Sequence, residues 1–329
     1  MAAALIDGIG LISGGLGIIG FIQDNLPGGE LPEGATLRVK VGLEKGDDDG
    51  ELKGNLAAVY AWDTNNNYLG QGAGQDIAAG DAPTITVDQS SPGTRAEYVG
   101  LSGGDDAICI AWVTVAQKDE TLGGRWTGDV GHSCGQNWYE QAEFAGYIDK
   151  DGPQTDENKF IPHCTWLDGD HTNDIISAAM KFRTLAYADE SADTINNGAG
   201  CTATIWGPDT GPINDKPSGK RSLPHPRAAI KARPEWMESR LVVSNITQHS
   251  ATNLCTSATS WGPDFVSESE GLFCDMGTKT LTPLCEKENV EGCLNVDAVQ
   301  KRVVKKMIVA KRAVELNHKE YAKAEVWGH

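Results

Sequence analysis

Positive charge is scarce in this chain. Lys and Arg number 28 against 46 Asp and Glu, a formal charge of -18 over 329 residues. A surface of that sign repels phosphate, so nucleic acid is not expected as a partner, and anionic membrane surfaces are disfavoured. None of the eight cysteines forms a CxxC pair, which leaves zinc ribbons and thioredoxin-type redox sites without support. G-x-S-x-G, P-loop and dinucleotide fingerprints are absent as well, and no cofactor is expected. No Lys or Arg precedes Arg38, and no A-x-A site follows the apolar opening, so a cleaved secretory signal is not expected there.

What is present points to a mainly β protein. Glycine is abundant, at 39 residues, and charge is spread rather than blocked. That composition suits short strands joined by turns. The cysteines stand at Cys109, Cys134, Cys164, Cys201, Cys255, Cys274, Cys285 and Cys293. An even count at loop-like spacing reads as disulfides formed in an oxidising compartment. Cys285 and Cys293 bracket the polar stretch CEKENVEGC and are the expected local pair. The other connectivities stay open. Asn245-Ile246-Thr247 is a glycosylation sequon compatible with secretion.

The most apolar stretch is the Gly-rich segment 1–27. Drawn as a helix, Leu5, Ile9, Ile12, Leu16 and Ile19 form one bulky stripe. Gly10, Gly14 and Gly17 fall on the opposite face with Asp7. The six glycines at 8, 10, 14, 15, 17 and 20 cost an isolated helix in water about 6 kcal/mol relative to alanine. The segment therefore needs a partner. The bare face suits close backbone approach, so the partner is the protein's own sheet, a second copy in a homo-oligomer, or a lipid bilayer.

After Pro27 the periodicity changes. LRVKVGL (37–43), LAAVYAW (56–62), TITVD, AEYVGL and AICIAWVTVA read as strands separated by turns. Residues 35–190 form the expected β-sandwich-like domain. Residues 191–329 form a smaller disulfide-rich lobe with a basic tail. Within that lobe CTATIWGPD and CTSATSWGPD echo each other, with a connector carrying one helical turn between them. The dibasic tail is expected to be a strand or helix packed on the acidic body; such pairs also serve as processing sites.

Two places carry residue types suited to chemistry. Asp168, Asp170 and His171, with His163 and His132 as neighbours, set carboxylates beside imidazoles, as general acid–base or metal chemistry requires. The bland reading is a polar turn. Residues 149–158 begin like a calcium loop, but Gln154 and Phe160 occupy positions where an EF-hand needs Gly and Glu, and no metal site is assigned. Trp126, Trp138 and Trp166 lie near turns, where indoles stack on sugars, sit at a membrane interface, or fill a sandwich core.

The segments DDAICIAWVTV, GRWTGDVGHSCGQNWY and HCTWLDGDHTN, with the step Asp24-Asn25-Leu26-Pro27, resemble an uncharacterised family of secreted proteins of filamentous ascomycete fungi. WGPDFVSESEGLFCDMGTKTLTPLC is similar to the tail region of such proteins. The resemblance implies secretion after removal of a signal this chain lacks, and a hydrophobic segment retained in the mature protein. It implies no activity. The leading expectation is a secreted, non-enzymatic protein that packs or self-assembles through its N-terminal segment. The alternatives are a membrane-active toxin and a hydrolase or metal-dependent enzyme.

Overall fold

A computed structural model describes residues 32–44, 50–119, 122–147, 155, 159–188, 200–217, 233–309 and 312–328. The hydrophobic N-terminal segment, with Leu5, Ile9, Gly10, Ile12, Gly14, Leu16, Gly17 and Ile19, lies outside the described residues. So does most of the calcium-like loop. The chain divides into two compact units, one of residues 1–43 and 47–228, the other of residues 44–46 and 229–329.

The first unit contains β1 (Thr36–Val41), β2 (Gly54–Trp62), β3 (Tyr68–Ile77), β4 (Thr84–Thr86), β5 (Asp88–Gln89), β6 (Tyr98–Gly103), β7 (Ile108–Ala116), β8 (Leu122–Thr127), β9 (Trp138–Tyr139), β10 (Gly146–Tyr147), β11 (Lys159–Phe160), β12 (Cys164–Leu167), β13 (Ala179–Arg183) and β14 (Thr204–Gly207). Two six-stranded antiparallel sheets dominate. One runs β4-β1-β7-β12-β9 with β8 also on β7, the other β14-β13-β6-β2-β3-β5. β7 is the hub of the first sheet. Its nine residues ICIAWVTVA are all buried, and such an apolar, β-branched run fits a strand covered on both faces. Trp126 of β8 stacks on Phe182 of β13, with centroids 6.4 Å apart, and meets Trp206 of β14 edge-on at 6.1 Å. The two sheets therefore share one core. Trp206 belongs to the first of the two echoed WGPD stretches, so that stretch completes the second sheet.

The second unit contains β15 (Arg240–Ser244), β16 (Asp264–Ser267), β17 (Leu272–Asp275), β18 (Thr280–Pro283), β19 (Leu294–Asp297), β20 (Arg302–Val309), β21 (Arg312–Glu320) and β22 (Lys323–Trp327). A five-stranded sheet runs β18-β17-β16-β15-β22, with β15 parallel to both β16 and β22. β19, β20 and β21 form a separate three-stranded antiparallel sheet. The basic tail is thus a strand hairpin. Leu241, Val243, Val266, Phe273, Leu294 and Val303 form the unit's apolar core.

All eight cysteines are paired, as Cys109–Cys164, Cys134–Cys201, Cys255–Cys274 and Cys285–Cys293. The local pair is the one the sequence singles out. Four bridges are the mark of an oxidising environment. Among the described residues no helix is long and apolar enough to cross a membrane.

Candidate functional site

The first unit holds the residues that sequence marks for chemistry, but it divides them. His163 precedes β12 and Asp168 follows it. Five residues of extended chain put them about 17 Å apart along the strand. His132 and His163 are therefore not neighbours of the Asp168–Asp170–His171 turn, and two separate clusters replace the one expected.

The first cluster is built around α1 (Asp129–Ser133). Gly128 and Gly131 let this short helix lie directly on the β12 segment. A Cβ on Gly128 would stand 2.2 Å from the His163 carbonyl oxygen, and one on Gly131 would stand 2.1 Å from Thr165 Oγ1. That approach brings Asp129 and His132 over His163. His163 Nδ1 lies 2.7 Å from Asp129 Oδ1, and Nε2 lies 3.5 Å from Glu140 Oε2. Thr127 Oγ1 donates to the other Asp129 oxygen at 2.8 Å.

Burial opposes charge on His163, yet Glu140 and the Asp129 hydrogen bond outweigh it and raise the imidazole pKa to about 10. Burial likewise works against the Asp129 carboxylate, but its bonds to His163 hold it below the usual range. His132 stacks on His163 at 4.5 Å, and Trp138 meets both rings edge-on at 4.2 and 4.6 Å. Burial, reinforced by the neighbouring His163 charge, lowers the His132 pKa to about 4. At neutral pH the pair is one imidazolium and one neutral imidazole. Two disulfides brace it, since His132 lies two residues before Cys134 and His163 adjoins Cys164.

The second cluster is the turn after β12. Burial, with Asp170 alongside, raises the Asp168 carboxyl to about 6. One Asp168 oxygen accepts from the Asn173 N–H at 3.2 Å. Asp170 accepts from the Thr172 N–H and hydroxyl, which lowers its pKa. His171 has φ 55°. Its Nδ1 lies 2.7 Å from the Ile175 carbonyl oxygen, and its Nε2 lies 2.5 Å from that of Pro208. Two carbonyl acceptors favour an N–H on each ring nitrogen, and the imidazole pKa is raised, chiefly by the Ile175 bond. A ring committed on both nitrogens braces a loop; it has no lone pair to take a proton from a substrate.

No described hydroxyl or thiol is hydrogen-bonded to His132 or His163. Among the described residues no group of three or more His, Cys, Asp or Glu is placed to hold a metal ion. Sequence reasoning missed Asp129 and Glu140 as partners of His163. The available signal was the Gly-x-x-Gly spacing around Asp129, which marks a close backbone approach. Trp126, Trp138 and Trp166 are fully buried core residues, which leaves no indole face for sugars or a membrane interface. Asn245 follows β15, half-buried, with its backbone N–H bonded to Trp327 O at 3.2 Å. Comparison with models of known families and with curated proteins returns no match.

Proposed function

We propose that this chain is a secreted, non-enzymatic β protein with a sandwich-like first unit, of the fungal type its sequence resembles. It works by association, with the hydrophobic N-terminal segment as the self-assembly element. The observation that carries the reading is the state of the three histidines suited to chemistry. His163 and His171 are held on both nitrogens, and no described hydroxyl or thiol is hydrogen-bonded to His132. Four disulfides support an extracellular setting. Glycosylation at Asn245 belongs to the same proposal.

Deleting residues 1–26 and measuring mass by light scattering tests the assembly role. The full chain is expected to be oligomeric and the truncated chain monomeric. An identical mass for both refutes it.

A further inference from the structure

Lys181, in the middle of β13, is a fully buried lysine, with 0% of its surface exposed. Its Nζ lies 3.7 Å from the Trp62 ring centre and 5.5 Å from that of Tyr98. Both rings belong to a buried cluster with Ala58 and Tyr60. Burial in these surroundings lowers the amine pKa to about 7. A large share of such an amine is neutral and nucleophilic at neutral pH, where an exposed lysine stays charged.

The amine faces three oxygens, Asn66 Oδ1 at 2.6 Å and the carbonyls of Ile213 and Asp215 at 2.9 Å each. A neutral amine has two N–H groups and one lone pair. The two carbonyls take the N–H groups, which leaves the lone pair facing the Asn66 amide. A C=O bond is about 1.2 Å long, so Cγ of that amide lies about 3–4 Å from Nζ, close to a near-attack separation. Asn66 is held firmly in this position. It has φ 69°, and its N–H donates to the Asp63 carbonyl at 3.0 Å. The Asp63 carboxylate is taken up within the turn, accepting from the Asn65 and Asn67 N–H groups at 2.8 Å each. Asn66 Nδ2 donates to the Asn214 carbonyl at 2.6 Å, which turns Oδ1 and Cγ toward the amine. The next residue, Asp215, has an exposed carboxylate whose charge acts on Lys181.

We propose that Lys181 and Asn66 condense to an intramolecular amide, a covalent cross-link beside the four disulfides. The Lys181 amine attacks Asn66 Cγ. The Nζ–Cγ bond forms and the Cγ–Nδ2 bond breaks. Nδ2 leaves as ammonia with one proton from Nζ, carried across by the Asp215 carboxylate. Nothing is oxidised or reduced, and no further reactant enters. The fixed approach of amine and amide, in aromatic surroundings poor in water, supplies the activation that the same pair lacks in solution. The arrangement described is the pair before condensation, with the amine still free to titrate. The bond ties the 63–67 turn to β13 across a sequence separation of 115, and it resists the reductants that open disulfides. It is independent of the N-terminal segment and of the assembly role proposed for it.

The test is the intact mass of the full-length chain, folded and incubated for days at about pH 8, then reduced for measurement. A loss of about 17 Da, one ammonia, is expected to accumulate. Trypsin is then expected to release a branched peptide joining residues 54–95 to residues 160–183, with Lys181 uncut. Asn66→Ala is expected to keep its full mass. Asp215→Ala, at an exposed position, is expected to slow the loss about tenfold or more with near-UV circular dichroism unchanged. Full mass of the wild type after incubation overturns the proposal. So does a gain of about 1 Da, which marks hydrolysis of the Asn66 amide to aspartate. A loss of about 17 Da with linear peptides alone marks a succinimide and overturns it as well.

Discussion

The histidine pair makes a pH prediction that separates a fixed imidazolium from an ordinary buried ring. In the folded chain the His163 imidazole is raised to about 10 from its ordinary value of 6.5. Below pH 6.5 the ring is protonated in both folded and unfolded chains, and the full stabilisation is present. Between pH 6.5 and about 10 the unfolded chain releases the proton while the folded chain keeps it. Stability contributed by His163 then falls by up to about 1.4 kcal/mol per pH unit. Lys181 and Lys279 push the other way, because burial lowers their folded pKa values to about 7 and about 8. The raw pH profile therefore mixes opposing slopes. The difference between the wild type and His163→Gln cancels the lysines and leaves His163 with the groups that touch it, Asp129, Glu140 and His132. Urea unfolding of both proteins from pH 6 to 9 is the assay. The wild-type advantage is expected to be largest at pH 6 and to shrink steadily as pH rises. A constant difference across that range refutes the imidazolium. The same variant tests the stack, since losing the adjacent charge should raise the His132 pKa above about 4, followed by the imidazole proton resonances.

Three further outcomes follow from the packing. Cys109→Ser with Cys164→Ser opens a link of sequence separation 55, and Cys285→Ser with Cys293→Ser opens one of 8. Loop entropy sets their costs at about 4 and about 2.5 kcal/mol, and urea midpoints should show the larger loss for the first pair. Tyr321→Phe removes the hydroxyl that donates to Asp264 Oδ2 at 2.9 Å while Lys319 keeps its bond to the same oxygen at 2.8 Å, so a loss of about 1.5–3 kcal/mol is expected in denaturant titration at pH 7. Lys181→Met strands Asn66 Oδ1 and the carbonyls of Ile213 and Asp215, now held at 2.6, 2.9 and 2.9 Å, and removes the ammonium lying 3.7 Å from the Trp62 ring centre. Destabilisation of about 3 kcal/mol or more, with an altered tryptophan emission spectrum, is the expected result.

How far the sequence can be read depends on how local each interaction is. β7 is legible because eight apolar residues and one threonine, mostly β-branched or aromatic, suit no exposed element. The Cys285–Cys293 bridge is legible because a short polar stretch, at a sequence separation of 8, closes easily on itself. The Cys109–Cys164 and Cys134–Cys201 bridges are set by which strands pair and by where α1 lands, and neither is written near the cysteines. Alternation marks Lys181 as an outward-facing residue of β13. It is fully buried, because the 63–67 turn and residues 213–215 cover it with oxygen acceptors.

The two WGPD stretches show why motif reading stops short of function here. Asp209 of the first is exposed, while Asp264 of the second is buried. Asp264 takes Arg233 and the Met276 N–H on one oxygen, and Lys319 and Tyr321 on the other. Those side chains come from 31, 55 and 57 residues away, so nothing in the tetrapeptide itself distinguishes a surface turn from an electrostatic hub. The tryptophans diverge in the same way, Trp206 entering the core of the first unit and Trp261 remaining at the surface. Arg233 connects these facts, since the guanidinium that neutralises Asp264 also holds the backbone beside Trp261. Removing that one side chain therefore loosens the Trp261 turn and unbalances the buried carboxylate together. Arg233→Ala is expected to cost about 1.5–3 kcal/mol in urea titration at pH 7, because Asp264 Oδ1 then keeps only the Met276 N–H, and an unchanged midpoint refutes the hub.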